Sequence, residues 1–167
     1  MKNLTTKDIK TYSEMENVTI LEYAPEYATD FKRLNIEWIE KYFVVEEHDL
    51  EQLNNPEEYI ISKGGHILFA EYNSEIVGVC ALIKTNDKSF ELAKMAVSSN
   101  VQGKHIGTTL GIATLDKTKA EGANHVWLES NRILKPAIHL YKKLGFVEIP
   151  MTDTPYARAD IKMEVWI

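Results

Sequence analysis

Between Met95 and Gly107 the chain reads Met-Ala-Val-Ser-Ser-Asn-Val-Gln-Gly-Lys-His-Ile-Gly, and three kinds of local structure follow one another within it. An apolar run stops at Ser98-Ser99-Asn100, a polar loop holding Gly103 follows, and helix-period residues begin at Ile106. A strand, a loop and a helix start in that order leave several backbone N–H groups pointing one way, backed by the positive end of the helix dipole. Such a cradle suits a phosphate. Gly103 and Gly107 permit a tight turn and a close approach of ligand to backbone. The spacing matches neither the Gly-x-Gly-x-x-Gly dinucleotide fingerprint nor the phosphate loop that ends in Gly-Lys-Ser/Thr. Taken alone, the stretch is equally an ordinary strand-to-helix turn.

What surrounds the loop narrows the choice. Val18 to Tyr23 alternates as a strand does, and after Pro25 the residues Tyr27, Phe31, Leu34 and Trp38 fall on one face of a helix. Glu46 to Asn54 reads as a second, short helix, stopped by the restriction Pro56 places on its predecessor. Gly64-Gly65 marks a turn, and His66–Tyr72 and Ile76–Lys84 read as strands joined at Asn73-Ser74-Glu75. After Asn86-Asp87, Ser89–Val97 completes an antiparallel meander that feeds the loop. A nucleotide-binding parallel sheet would place its loop after the first strand, so the meander argues against that class.

Beyond the loop, His105 to Glu121 reads as a helix closed by Gly122. Ile106, Leu110, Ala113 and Ala120 lie on one side of it, with Ile112 and Leu115 nearly opposite, the pattern of a helix covered on more than one side. His125–Glu129 is then a strand parallel to the one before the loop, because the helix between them is a crossover. Ala137, Leu140, Tyr141 and Leu144 form the face of a further helix, opened by Pro136 and ended by Gly145. Phe146–Ile149 and Ala159–Ile167 close the sheet as two more strands.

These 167 residues, 44% hydrophobic and 26% charged, suit one soluble domain over 18–167 preceded by a polar arm over 1–17. Apolar runs fall well short of the roughly 20 residues a membrane span needs, and the N-terminus lacks the apolar core of a secretory signal, so the expectation is a cytoplasmic protein without a membrane partner. The single cysteine, Cys80, sits mid-strand between apolar neighbours and reads as a buried small residue. A net charge of −6 disfavours a nucleic-acid partner and inclines toward a cationic ligand such as an amine.

Two stretches carry a family resemblance. Gln102-Gly103-Lys104-His105-Ile106-Gly107 resembles Gln/Arg-x-x-Gly-x-Gly/Ala, the acyl-CoA pyrophosphate loop of the GNAT N-acetyltransferases, with His105 where that pattern has glycine. Downstream, Trp127-Leu128-Glu129-Ser130-Asn131 and Pro136 to Phe146 resemble the family's fifth strand and following helix, including its Ala-x-x-Leu-Tyr-x-x-x-Gly-Phe signature. The resemblance implies an α+β or α/β domain, with a mixed, mostly antiparallel sheet of about seven strands, helices on both faces and a splayed parallel pair.

The resemblance also implies acetyl-CoA as co-substrate and no metal. Met95, Ala96 and Val97 would bind pantetheine, and Gln102, Gly103, Lys104, His105, Ile106, Gly107 and Thr108 would bind pyrophosphate. The hydroxyls of Thr108 and Thr109 are equally plain helix caps. Asn131 could hydrogen-bond the co-substrate or cap a loop. Trp38, Tyr42 and Phe43 would line the acceptor site, or form a packed aromatic cluster. Glu91 stands where several family members carry a catalytic glutamate, its alternative being a solvated strand residue; Glu37, Glu40 and Glu129 are weaker substitutes. Tyr141 matches the family's general acid, its alternative being core packing with a tethered hydroxyl.

His66, His125 and His139 show no metal-ligand spacing and read as structural or exposed. No Ser-His-Asp or Cys-His motif is present, so direct transfer is expected over an acyl-enzyme. The expectation is an acetyl-CoA-dependent N-acetyltransferase acting on a primary amine of a small molecule or peptide. The alternative is a non-catalytic acyl-CoA-binding sensor or scaffold. A homodimer through the closing C-terminal strands is left open.

Overall fold

The computed structural model describes residues 17–167, so the arm expected over 1–17 lies, but for Asn17, outside the described residues. Seven strands form one sheet: β1 (Val18–Glu22), β2 (His66–Tyr72), β3 (Glu75–Asn86), β4 (Ser89–Val97), β5 (His125–Ser130), β6 (Val147–Ile149) and β7 (Ile161–Trp166). Their spatial order is β1-β2-β3-β4-β5-β7-β6. β4 and β5 run parallel, and every other neighbouring pair is antiparallel. The last strand thus inserts between β5 and β6, pairing with β5 along its whole length, from Ser130 with Ile161 to His125 with Trp166.

Helices α1 (Ala28–Tyr42), α2 (Glu47–Asn54) and the single turn α3 (Pro56–Tyr59) precede the meander. The crossover α4 (Ile106–Ala120) joins β4 to β5, and α5 (Lys135–Lys143) follows β5. Both sheet faces are covered, which explains why β2 and β3 read as nearly unbroken apolar runs. Ile67 and Phe69 of β2 join Phe31, Leu34, Ile39 and Leu53 in the core under α1 and α2. Their neighbours Leu68 and Ala70 point the other way, into a core with Leu110 of α4 and Tyr141 of α5. Close seating of α4 depends on Gly78, where a Cβ would stand 2.9 Å from Leu110 Cδ1.

α4 is buried on more than one side, as its uneven apolar stripe implies, but polar residues fill part of the buried surface. Thr114 and Thr118 are almost wholly enclosed, and each hydroxyl donates to a carbonyl of its own helix, Gly111 O at 2.7 Å and Thr114 O at 2.8 Å. Ala120, expected on the inner side, is exposed instead.

Two irregularities in β4 shape the space beside it. Ala81 pairs with Ala93 and Val79 with Ala96, so β4 carries an extra residue there, and Lys94 takes the left-handed conformation at φ 53°. Before this bulge Phe90 and Leu92 face the α4/α5 core; after it Met95 and Val97 do, while Ala96 turns to the α1 core. The parallel pair also ends early. Only Ser89, Phe90 and Glu91 pair with His125, Val126 and Trp127, and beyond them the two strands part.

Candidate active site

Where β4 and β5 separate, backbone groups on the β5-facing edge of Leu92 to Val97 have no strand partner. An extended ligand with amides at peptide spacing can occupy that edge as an added strand would. The space beside it is a small cleft of about 100 Å³. Asn35, Trp38, Ile39 and Phe43 wall it on the α1 side, Glu91 to Met95 line it from β4, and Glu129 to Asn131 from β5. α5 contributes Ala137 and Tyr141, and the segment before β7 contributes Tyr156 and Arg158.

A second, more open groove continues outward, with Trp38, Leu134 and Ala137 common to both. Val97, Gln102, Gly103, His105, Ile106, Gly107 and Thr108 form its loop side. His105 is the N-cap of α4 at φ 57°, ψ 24°, and Gly103 has φ 83°. His105 therefore holds the left-handed geometry that glycine usually supplies, and it is one of the residue types that tolerate it. A Cβ built at Gly103 meets nothing within 4 Å, so the loop is open on that side. The unpaired β4 edge and the open loop at a helix N-terminus fit a pantetheine arm and a pyrophosphate respectively.

The inner cleft is where ionisable groups gather. Burial, and next the neighbouring Glu129, push the Glu91 carboxyl up to about 7, while Lys94 and Lys162 pull it down. Glu129 accepts a short hydrogen bond from the Thr154 hydroxyl. Tyr141 is 9% exposed, edge-on to Phe146 at 5.9 Å, and burial with the adjacent Cys80 thiol raises its phenol well above the usual range. It keeps its proton at any physiological pH.

Behind the cleft lies a charge cluster that pattern reading missed. Asp49 is fully enclosed and accepts from Lys94 Nζ at 2.6 Å, from Arg158 at 2.7 and 2.8 Å, and from the Glu46 backbone N–H at 2.9 Å. Arg158 also pairs with Glu46 at 3.0 Å, and Lys94 donates to the Tyr156 hydroxyl at 2.8 Å. Signals for parts of it exist in the chain. Lys94 occupies the parity of Phe90 and Leu92, where alternation calls for an apolar residue. Asn35 likewise falls in the buried stripe of α1, its amide donating to Phe31 O at 3.0 Å. For Asp49, Tyr156 and Arg158 the sequence carries no such mark.

A splayed parallel pair that opens onto an amide-lined helix N-terminus defines the class of acyl-CoA-dependent acyltransferases. Residues 31–146 match the acetyltransferase (GNAT) family model, and the chain belongs to that family. Over 130 residues it is 27% identical to YjgM, an uncharacterized N-acetyltransferase of Escherichia coli K12, covering 74% of this chain and 75% of the relative. A GNAT-family acetyltransferase structure from Staphylococcus aureus Mu50 superposes with TM-score 0.80 at 21% identity, over 89% of this chain and 98% of that one. The PaiA N-acetyltransferase of Thermoplasma acidophilum, in complex with coenzyme A, gives 0.69 at 18%, over 90% and 99%. These likenesses agree with the expected fold, and the family's general reaction is acetyl transfer from acetyl-CoA.

Residue by residue, the expected site is brought together with adjustments. Glu91, Met95, Asn131, Tyr141, Trp38 and Phe43 all line the inner cleft. Tyr42 belongs to the outer groove, and the three aromatics also pack on one another at 5.5 to 6.4 Å between ring centres. Lys104 lies over the Tyr72 ring at 5.5 Å and is not among the groove-lining residues. The Ala96 side chain is buried in the α1 core, so only its backbone lies along the unpaired edge. Both ends of the Asn131 amide serve the local loop, donating to Arg158 O at 2.7 Å and accepting from Ile133 N–H at 2.9 Å. The Thr109 hydroxyl donates to His105 O at 3.0 Å, one turn back in its own helix, and among the described residues no side chain caps the α4 N-terminus. Glu37 and Glu40 are exposed on α1, outside the cleft. Among the described residues no group of three or more His, Cys, Asp or Glu is placed to hold a metal ion.

Proposed function

We propose that this chain transfers the acetyl group of acetyl-CoA directly to a primary amine of a small molecule or peptide, with Glu91 as general base and Tyr141 as general acid. The observation that carries this reading is Glu91 itself: a carboxyl in a partly enclosed cleft, held near 7, with the protonated phenol of Tyr141 lining the same cleft. An amine with an ordinary value of about 10.4 arrives protonated and cannot attack. Glu91, near its midpoint at neutral pH, takes that proton directly or through water. The nitrogen then forms a bond to the thioester carbonyl carbon and gives up its second proton to solvent, and the C–S bond breaks with its electron pair leaving on sulfur. Tyr141 gives its phenolic proton to that sulfur and recovers one from solvent.

Acceptor recognition follows from the wall chemistry. Trp38 and Phe43 offer apolar surface, and Glu91 with Glu129 places negative charge where a cation enters, in keeping with the acidic balance of the chain. Thiol release from acetyl-CoA, measured over a panel of primary amines, tests the reading. On the best acceptor, Tyr141→Phe and Glu91→Gln should each lower turnover by about 10² to 10⁴ while acetyl-CoA affinity holds. Turnover equal to the parent in both variants would remove these two residues from the chemistry. Acetyl-CoA binding without thiol release across the panel would favour a sensor.

A further inference from the structure

Unbroken alternation along β4 would send the Lys94 side chain into the apolar core with Phe90 and Leu92. The bulge prevents it. As the extra residue, at φ 53°, Lys94 emerges on the Glu91 side of the strand and lines the same cleft. Its side chain is 4% exposed, its ammonium bonded to Asp49 Oδ1 and to the Tyr156 hydroxyl and lying 4.7 Å from the centre of the Tyr156 ring. A left-handed non-glycine residue and a buried ammonium are both unfavourable. Joining α2 to the segment before β7 does not require them, because Arg158 already makes two hydrogen bonds to Asp49 and one to Glu46.

We propose that Lys94 is a positioning residue for Glu91: the bulge swings its ammonium to the inner wall of the acceptor cleft, where Asp49 and Tyr156 hold it as the fixed positive charge against which Glu91 takes up and releases its proton. This rests on Glu91 acting as the base. The charged and titratable groups round Glu91 are Glu129 on β5, Lys162 on β7, Lys94 on β4, Tyr141 on α5, and Tyr156 and Arg158 before β7, with Asp49 on α2 behind Lys94; from α1 only uncharged residues line the cleft. Glu129 favours the protonated carboxyl, and Lys94 and Lys162 favour the ionised one. Of these two cations only Lys94 lines the cleft; Lys162 lies over the Trp127 ring and donates to Thr152.

The test is the pH profile of kcat/KM, with acetyl-CoA and the best amine of the panel, for the parent, Glu91→Gln, Lys94→Met and Lys94→Arg. Removing the cation makes Glu91 harder to ionise, so Lys94→Met should move the rising limb up by about one pH unit, and Lys94→Arg should restore it. KM for acetyl-CoA should stay constant throughout. If the limb survives in Glu91→Gln, the base assignment fails and this inference with it. If the limb is lost there but does not move in Lys94→Met, only the positioning role fails and Lys94 is a staple. In the unmutated enzyme the Lys94 ¹⁵Nζ resonance should step at the midpoint of the Glu91 ¹³C carboxyl titration. A featureless Nζ titration through that range overturns the proposal whether or not the variants fold.

Discussion

Ser89 Oγ lies 2.6 Å from His125 Nδ1 across the first rung of the parallel β4–β5 pair, and His125 Nε2 lies 2.7 Å from Glu164 Oε2 on β7. With Glu164 ionised, Nε2–H donates to the carboxylate and Nδ1 accepts from the serine hydroxyl. A hydrolase uses the same residue types in series, and no motif in the chain announces them. Here Ser89 is 8% exposed, Trp166 stacks on the imidazole at 4.2 Å, and none of the three lines the cleft. The trio ties β4, β5 and β7 together just before the pair splays. Ser89→Ala should therefore lower stability by about 1 kcal/mol in urea unfolding and leave turnover nearly unchanged. A large loss of turnover without loss of stability would give the trio a chemical role.

Glu91 links stability to pH with a definite sign. Its carboxyl value of about 7 in the folded chain exceeds the ordinary 4.5, so the folded form binds the proton more tightly than the unfolded one. The stability this brings is complete below the ordinary value and is lost as pH rises through 7. Glu91→Gln, neutral at every pH, should be the more stable protein at pH 8, by at most about 3 kcal/mol. Urea unfolding at pH 5 and pH 8 measures the change. Parallel behaviour of parent and variant would mean a solvated carboxylate.

Asp49 has the opposite linkage. Burial alone would raise its carboxyl, but Arg158, Lys94 and the Glu46 N–H outweigh that and hold it well below the usual range. Its contribution is present above the ordinary 3.8 and is lost as pH falls through the acid region. Asp49→Asn leaves Lys94 and Arg158 facing a neutral amide, and should cost about 3 to 5 kcal/mol at pH 7. The gap between parent and variant should narrow in denaturation curves taken toward pH 3. A constant gap would mean that shape, not charge, makes the site.

The Gln102–Gly107 loop separates backbone freedom from ligand space. His105→Gly relaxes a left-handed residue and should fold normally and bind acetyl-CoA within about threefold of the parent. Gly107→Val should fold too, because its Cβ meets just the flexible ends of Leu140, at 3.3 Å, and Met95, at 4.0 Å, yet its branches occupy the groove. Calorimetry should show acetyl-CoA affinity reduced by about tenfold or more, close to 1.4 kcal/mol. Unchanged affinity in folded Gly107→Val would remove the loop from the binding site.

Much of the architecture is legible in the chain because its signals are local. Alternation places β1 to β4, the break at Ser98 to Asn100 and the helix period from Ile106 place the loop, and Pro136 and Gly145 bracket the helix that carries Tyr141. Each depends on residues within a turn or two of one another. The Gln102–Gly107 loop and the Tyr141 signature give the family from the same short-range information. Other features depend on partners far apart in sequence, and only tertiary packing decides them. Insertion of β7 between β5 and β6 follows from the long antiparallel register it makes with β5. Glu91 reads equally as a solvated strand residue until α1, α5 and Glu129 close round it and desolvation raises its carboxyl. Lys94 reaches Asp49 across 45 positions and Arg158 reaches it across 109, so the charge gathered behind the cleft is invisible to periodicity. Periodicity records which face of an element is buried; it holds no record of which distant charges meet once the faces are packed.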